Sequence, residues 1–204
     1  MARDDERRAR AAEAPIVGGL PDAPGILAAM QLAPGLGAHL RGLADELLVN
    51  DFPGSTLTRG ERELLATAVS AGAGCVYCMD SHSAFAEELL SAGGAKPDGV
   101  IDSVTTGGDA GRGPRLSALL HIARTVGRRA LDLSRADVDR ATTAGASDGD
   151  VQLAVLIASA FSMYNRMVDG LRARTPPTRE AFRDRARQIA EHGYGSAGVK
   201  AIPG

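Results

Sequence analysis

Tryptophan is absent, aromatic residues make up only 3% of the 204-residue chain, and there are just two cysteines. Each scarcity excludes something. A core without large rings is assembled from Ala, Leu, Val and Ile, and such small side chains suit closely packed helices. Hydrophobic residues at 44% are enough to bury a sizeable core. Two cysteines, three positions apart, cannot form the disulfide framework of a small secreted domain, so a close pair points to redox or metal chemistry. A net charge of -2 excludes a general polyanion binder such as a nucleic-acid protein, which needs a concentrated positive field. Lysine is scarce too: Lys96 and Lys200 are the only ones, and the basic charge is otherwise Arg. Met1 to Glu13 is crowded with Arg, Asp and Glu and has no apolar run, unlike a signal peptide. The longest apolar stretch, Val151 to Tyr164, contains Gln152, Ser159 and Ser162 and is too short to span a bilayer. These absences predict a cytoplasmic protein without a membrane partner.

What is present reads as helix throughout, and the fold class expected is all-α. Residues 1–14 are expected as a disordered arm, residues 15–192 as a single helical domain, and residues 193–204 as a loose tail. Pro15 to Pro34 predicts irregular chain around one short helical turn. Leu36, Leu40, Leu43, Leu47 and Leu48 recur at helical spacing and predict an amphipathic helix ending near Asn50. Thr58-Arg59-Gly60-Glu61 has the form of a capping box, starting a helix to about Ser70 that Gly72 and Gly74 interrupt. A second helix begins around Cys75 and reaches Gly93-Gly94, and a short one follows Lys96-Pro97. Pro114 sits where a helix-initiating proline belongs. Ser134 starts another helix, stopped by Gly145. The segment from about Ser147 to Leu171 is apolar almost all round over Val151 to Ala160, which places it at the centre of a bundle. Thr178, after Pro176-Pro177, caps a terminal Arg-rich helix to about His192.

Chemistry concentrates in Cys75-Val-Tyr-Cys78-Met-Asp-Ser-His82. At roughly 100° per residue, positions 75, 78 and 82 of a helix fall within an arc of about 60°, so both sulfurs and the imidazole share a face. A thiol is a weak nucleophile until its proton is removed, and a neighbouring imidazole or a helix N-terminus favours the thiolate. A second cysteine three residues away can condense with a sulfenic acid and close a disulfide. Glu63 would lie about 18 Å from Cys75 on one unbroken helix. The break at Gly72-Ala73-Gly74 permits the second helix to fold back, so that Glu63 can meet His82 and orient its ring.

Glu63, Cys75 twelve residues on, then Cys78 and His82 resemble the signature of the alkyl hydroperoxidase D and carboxymuconolactone decarboxylase-like family. The resemblance is strong from Arg59 to Leu90. From Ser134 to Leu171, through Phe161, Asn165-Arg166 and Asp169-Gly170, the chain is similar to the peroxidase-related branch. This resemblance implies an all-helical fold, homo-oligomers (trimers or hexamers) and thiol-dependent reduction of hydroperoxides. A thiol or dithiol then acts as reductant, a Glu63–His82 pair serves as proton relay, and no cofactor is required. By the same analogy Cys78 attacks the peroxide and Cys75 resolves it. Tyr77 departs from the family pattern, which carries a His between the cysteines. The decarboxylase branch lacks the cysteine pair.

Other readings of the same residues stay open. Cys75 and Cys78 can act as a redox sensor or disulfide-exchange pair without peroxidase turnover. Together with His82 and Glu63 they also offer four ligands for a structural zinc, although no second Cys/His pair stands elsewhere in the chain. Glu63 alone is also a favourable acid in a first helical turn. Tyr164, Asn165 and Arg166 are expected to pin helices or an oligomer interface.

Overall fold

The computed structural model describes residues 2–92, 97, 99–109, 111 and 113–195, and these form an all-α bundle without strands. Ten α-helices follow in order: α1 (Ala2–Ala11), α2 (Ile26–Leu32), α3 (Pro34–Leu48), α4 (Arg59–Ala73), α5 (Val76–Ser91), α6 (Val100–Thr105), α7 (Pro114–Arg129), α8 (Arg135–Thr143), α9 (Asp148–Leu171) and α10 (Arg183–His192). A short 3₁₀ turn follows α7 and another precedes α10.

Local chemistry sets the helix starts. Thr58 caps α4 through the reciprocal box with Glu61, and Ser134 and Ser147 cap α8 and α9 the same way, with Asp137 and Asp150 as partners. Pro114 takes the first turn of α7. The end of α4 differs in detail from expectation. Gly72 continues the helix, and the chain turns only at Gly74, whose φ of 79° closes the helix in the left-handed conformation. That turn folds α5 back against α4, and this hairpin is the frame of the site.

The core lies where α4, α7 and α9 meet. Leu64, Leu65, Leu119, Leu120, Leu153 and Ile157 are fully buried there. Helix α9 runs 24 residues and is long and apolar enough by composition to cross a bilayer, although the apolar run within it reads as too short. More than half of that span is buried within the bundle, as in the core helix of a soluble protein. Tyr164 pins α9 to α3 by donating to the Leu40 carbonyl at 2.9 Å, and Asn165 pins it to α4 by accepting from Ser70 at 3.1 Å.

Three expectations need correction. Residues 2–11, expected within a disordered arm, form α1. The Arg8 guanidinium pairs with the buried Asp80 carboxylate through two hydrogen bonds (2.9 and 3.2 Å), docking α1 on α5. Thr178 does not cap the terminal helix with its side chain; a 3₁₀ turn over Arg179–Phe182 leads into α10. The segment expected to be a loose tail begins with two anchored residues: the Tyr194 and Gly195 amides donate to the two carboxylate oxygens of Asp45 at 2.6 and 2.7 Å. Residues 196–204 lie outside the described residues.

Candidate active site

Cys75 stands at the N-cap of α5, just before the helix, and Cys78 lies in its first turn. The helix start therefore presents its unpaired amides and positive dipole end beside the two sulfurs. Both cysteines are free and buried, with 0% and 2% of their surface exposed. The Cys75 thiol interacts with the Cys78 side chain and with Asp169. The interaction with Cys78, then burial and the charges of Cys78 and Asp169, raise the Cys75 pKa well above the usual thiol range.

One turn further along α5, His82 is 9% exposed and meets Glu63 of α4, which is 1% exposed. His82 Nδ1 lies 2.6 Å from Glu63 Oε2. The fold-back at Gly74 thus brings together two residues nineteen positions apart. With Nδ1–H donated to the carboxylate, the ring presents Nε2 as its basic nitrogen. Phe161 and Phe85 pack edge-on against the imidazole, with centroids 4.5 and 5.2 Å away. Among the described residues no hydrogen bond joins Cys78 to His82 directly. The shared face predicted for 75, 78 and 82 holds for Cys78 and His82 on the helix, whereas Cys75 sits before it in extended backbone.

A third member of this cluster was not legible in the sequence. Tyr194 donates its hydroxyl to Glu63 Oε1 at 2.6 Å, and its oxygen lies 3.4 Å from His82 Nδ1. Burial, then the charge and hydrogen bond of Glu63, raise the Tyr194 pKa well above the ordinary phenol value, so it stays a donor. Nothing in its neighbourhood, His-Gly-Tyr-Gly, signals a role; the Asp45 clasp on its backbone puts it there. Tyr77, between the two cysteines, turns elsewhere. It is buried in the core edge-on to Phe182, with ring centroids 5.3 Å apart, and its ring fills the space that a Cβ at Gly25 would occupy. Among the described residues no three His, Cys, Asp or Glu side chains converge as a metal-holding group, so the zinc reading lacks a ligand set.

The all-helical bundle thus holds a buried Cys-x-x-Cys pair at a helix start and a carboxylate–imidazole pair one turn away. Residues 34–125, which span α3 to α7 and contain all four of these side chains, match the Carboxymuconolactone decarboxylase family. The chain is similar to the alkylhydroperoxidase AhpD core of an uncharacterized peroxidase-related protein from Ralstonia eutropha JMP134. The TM-score is 0.66 and the identity 27%, covering 75% of this chain and 77% of that one. It also shares its fold with an uncharacterized peroxidase-related protein from Silicibacter sp. TM1040 (TM-score 0.62, 21% identity, 74% and 75% coverage). No curated protein matches significantly. Over residues 34–125 the chain carries the Carboxymuconolactone decarboxylase family pattern, in a helical fold that it shares with these peroxidase-related proteins.

Proposed function

We propose that the protein is a cytoplasmic thiol peroxidase that reduces small organic hydroperoxides, with Cys78 as nucleophile, Cys75 as resolving thiol, and His82 and Glu63 as proton relay. The observation that carries the reading is the 2.6 Å contact between Glu63 and His82 on the helix that bears the cysteine pair. Through Nε2, His82 takes the Cys78 proton, and the Glu63 carboxylate supports the imidazolium that forms. The thiolate attacks the distal peroxide oxygen. The O–O bond breaks, the alkoxide leaves as alcohol with the proton held by His82, and Cys78 becomes a sulfenic acid. Cys75 attacks that sulfur, water leaves, and a Cys75–Cys78 disulfide closes. Two external thiol equivalents restore the dithiol and leave as a disulfide.

The relay is tested by the rate at which cumene hydroperoxide oxidises the cysteine pair in stopped flow. Glu63→Gln keeps the shape but removes the charge behind the imidazole, and the rate at neutral pH is expected to fall about 10–100-fold. The deficit shrinks as pH rises, because the thiolate then forms unaided. Tyr194→Phe removes one donor from Glu63 and is expected to slow the reaction by severalfold, without change in helicity. Equal rates for wild type and Glu63→Gln at neutral pH would return Glu63 to a packing role.

A second reading, thiol–disulfide exchange without peroxide turnover, is favoured by the burial of both sulfurs, which limits peroxide access. It predicts a disulfide that equilibrates with cellular thiols and a negligible peroxide rate.

We also propose that the chain assembles into a closed trimer or hexamer. Leu32, Leu36 and Leu43 remain exposed along α2 and α3, and Leu156 on α9, apolar surface that a second copy would cover. Light scattering at low micromolar concentration is expected to give a multiple of the 21.0 kDa chain; a monodisperse monomer would defeat the assembly and leave the chemistry untouched.

A further inference from the structure

A cavity of about 950 Å³ opens between α4, α6, α7 and α9, with α1 at its rim. Arg7, Arg124, Arg128 and Arg166 line it, and Asp169 is the single acid among its lining residues. Elsewhere arginines find carboxylates: Arg8 with Asp80, Arg115 with Glu61 and Asp150, Arg140 with Asp137, Arg172 with Glu13. None of the four cavity arginines makes a salt bridge among the described residues. Arg166 donates only to the Ser162 carbonyl of its own helix. Arg124 is half-buried and bonds two carbonyls, those of Val104 (3.2 Å) and Gly108 (2.6 Å). Both bonds come from Nη2, and although the Asp109 charge acts on Arg124 from a distance, no carboxylate forms an ion pair with it among the described residues.

A second observation points the same way. Asn165 lies in the wall of this cavity and is 1% exposed. Its carbonyl oxygen accepts from Ser70, and its amide nitrogen has no partner among the described residues. An orphan buried donor is rare and calls for an acceptor. Gly72 and Gly170 leave the backbone bare beside it, since a Cβ at either would meet nothing within 4 Å.

We propose that this cavity binds a small carboxylate-bearing molecule, held by Arg124, Arg128 and Arg166 with the Asn165 amide. Guanidinium groups pair with carboxylates through two parallel hydrogen bonds, which gives direction as well as charge. The volume suits a small organic ligand. Asp169 marks the edge where a carboxylate is repelled, so the anion sits toward the arginines. The lining includes none of Glu63, Cys75, Cys78 or His82, although Asp169 at its edge interacts with Cys75, so anion binding is read by calorimetry apart from any peroxide chemistry.

The probe is tricarballylate, a tricarboxylate, titrated into the full-length protein by calorimetry at constant low ionic strength, with its uncharged triamide as comparison. Wild type is expected to show saturable binding at one site per chain and no binding of the triamide. Arg128→Gln combined with Arg166→Gln, both exposed positions, is expected to weaken tricarballylate at least tenfold with helicity retained. Arg140→Gln, on a remote helix, is expected to leave the affinity unchanged. Three results would each overturn the proposal: no saturable heat from wild type, equal affinity in the double variant, or a loss in Arg140→Gln as large as in the double variant.

Discussion

Replacing Cys78 by Ser is expected to abolish hydroperoxide turnover, with a loss on the order of a thousandfold or more, because no other side chain supplies the attacking sulfur. Cys75→Ser is expected to lose turnover as well, but by a different route. Cys78 still reacts once with peroxide and then waits as a sulfenic acid, since the resolving thiol is gone. The asymmetry follows from the proposed roles, and the raised pKa of Cys75 disfavours it as the attacking thiolate. Mass spectrometry after one equivalent of cumene hydroperoxide reads the difference directly. Wild type should lose two hydrogens as the disulfide closes, Cys75→Ser should gain one oxygen, and Cys78→Ser should stay unmodified. Persistent turnover in the double Ser variant would exclude the cysteine pair from catalysis, and an oxygen gained by Cys78→Ser would reverse the two roles.

The second large effect concerns stability and sits away from the site, at Asp150. This carboxylate is fully buried at the start of the central helix α9. It accepts from the Thr56 amide at 2.7 Å, the Ser55 hydroxyl at 2.9 Å and the Ser147 amide at 3.2 Å, and pairs with Arg115 at 3.1 Å. Burial alone would raise its pKa, but these donors outweigh burial and hold it at about 2. Asp150→Ala removes the α9 cap partner and strands buried donors, and is expected to cost about 2–4 kcal/mol. The sign of the pH dependence follows from the lowered pKa. The contribution is complete above the unfolded value near 4 and is lost as pH falls toward about 2. Thermal melts of wild type and Asp150→Asn should therefore differ most near neutrality and converge in that acidic interval. A gap that stays constant down to pH 2 would show that the carboxylate's charge does not contribute.

Much of this architecture follows from short-range patterns. Capping boxes at Thr58, Ser134 and Ser147, the proline at 114 and the apolar period of α3 and α9 are local signals, because each depends on residues within one or two turns. For the same reason the Cys75, Cys78 and His82 spacing was readable: the three lie within eight residues. Glu63 was legible only as a permitted partner, since its approach to His82 depends on where the chain reverses. The pattern suggested a break from Gly72 onward, whereas α4 continues to Ala73 and Gly74 alone makes the turn.

What the sequence determined by itself was therefore the helical class, most helix starts and the spacing of Cys75, Cys78 and His82, all properties of neighbouring residues. Only the tertiary structure decided the rest. It set Tyr194 on Glu63, because a backbone clasp by Asp45, 149 positions away, fixes the C-terminal segment there. It turned the N-terminal segment into a docked helix through the contact of Arg8 with the buried Asp80. It gathered Arg7, Arg124, Arg128 and Arg166 around one cavity in a chain whose net charge is -2. Contacts between distant segments are chosen by how the helices pack against one another, and no local pattern carries that information.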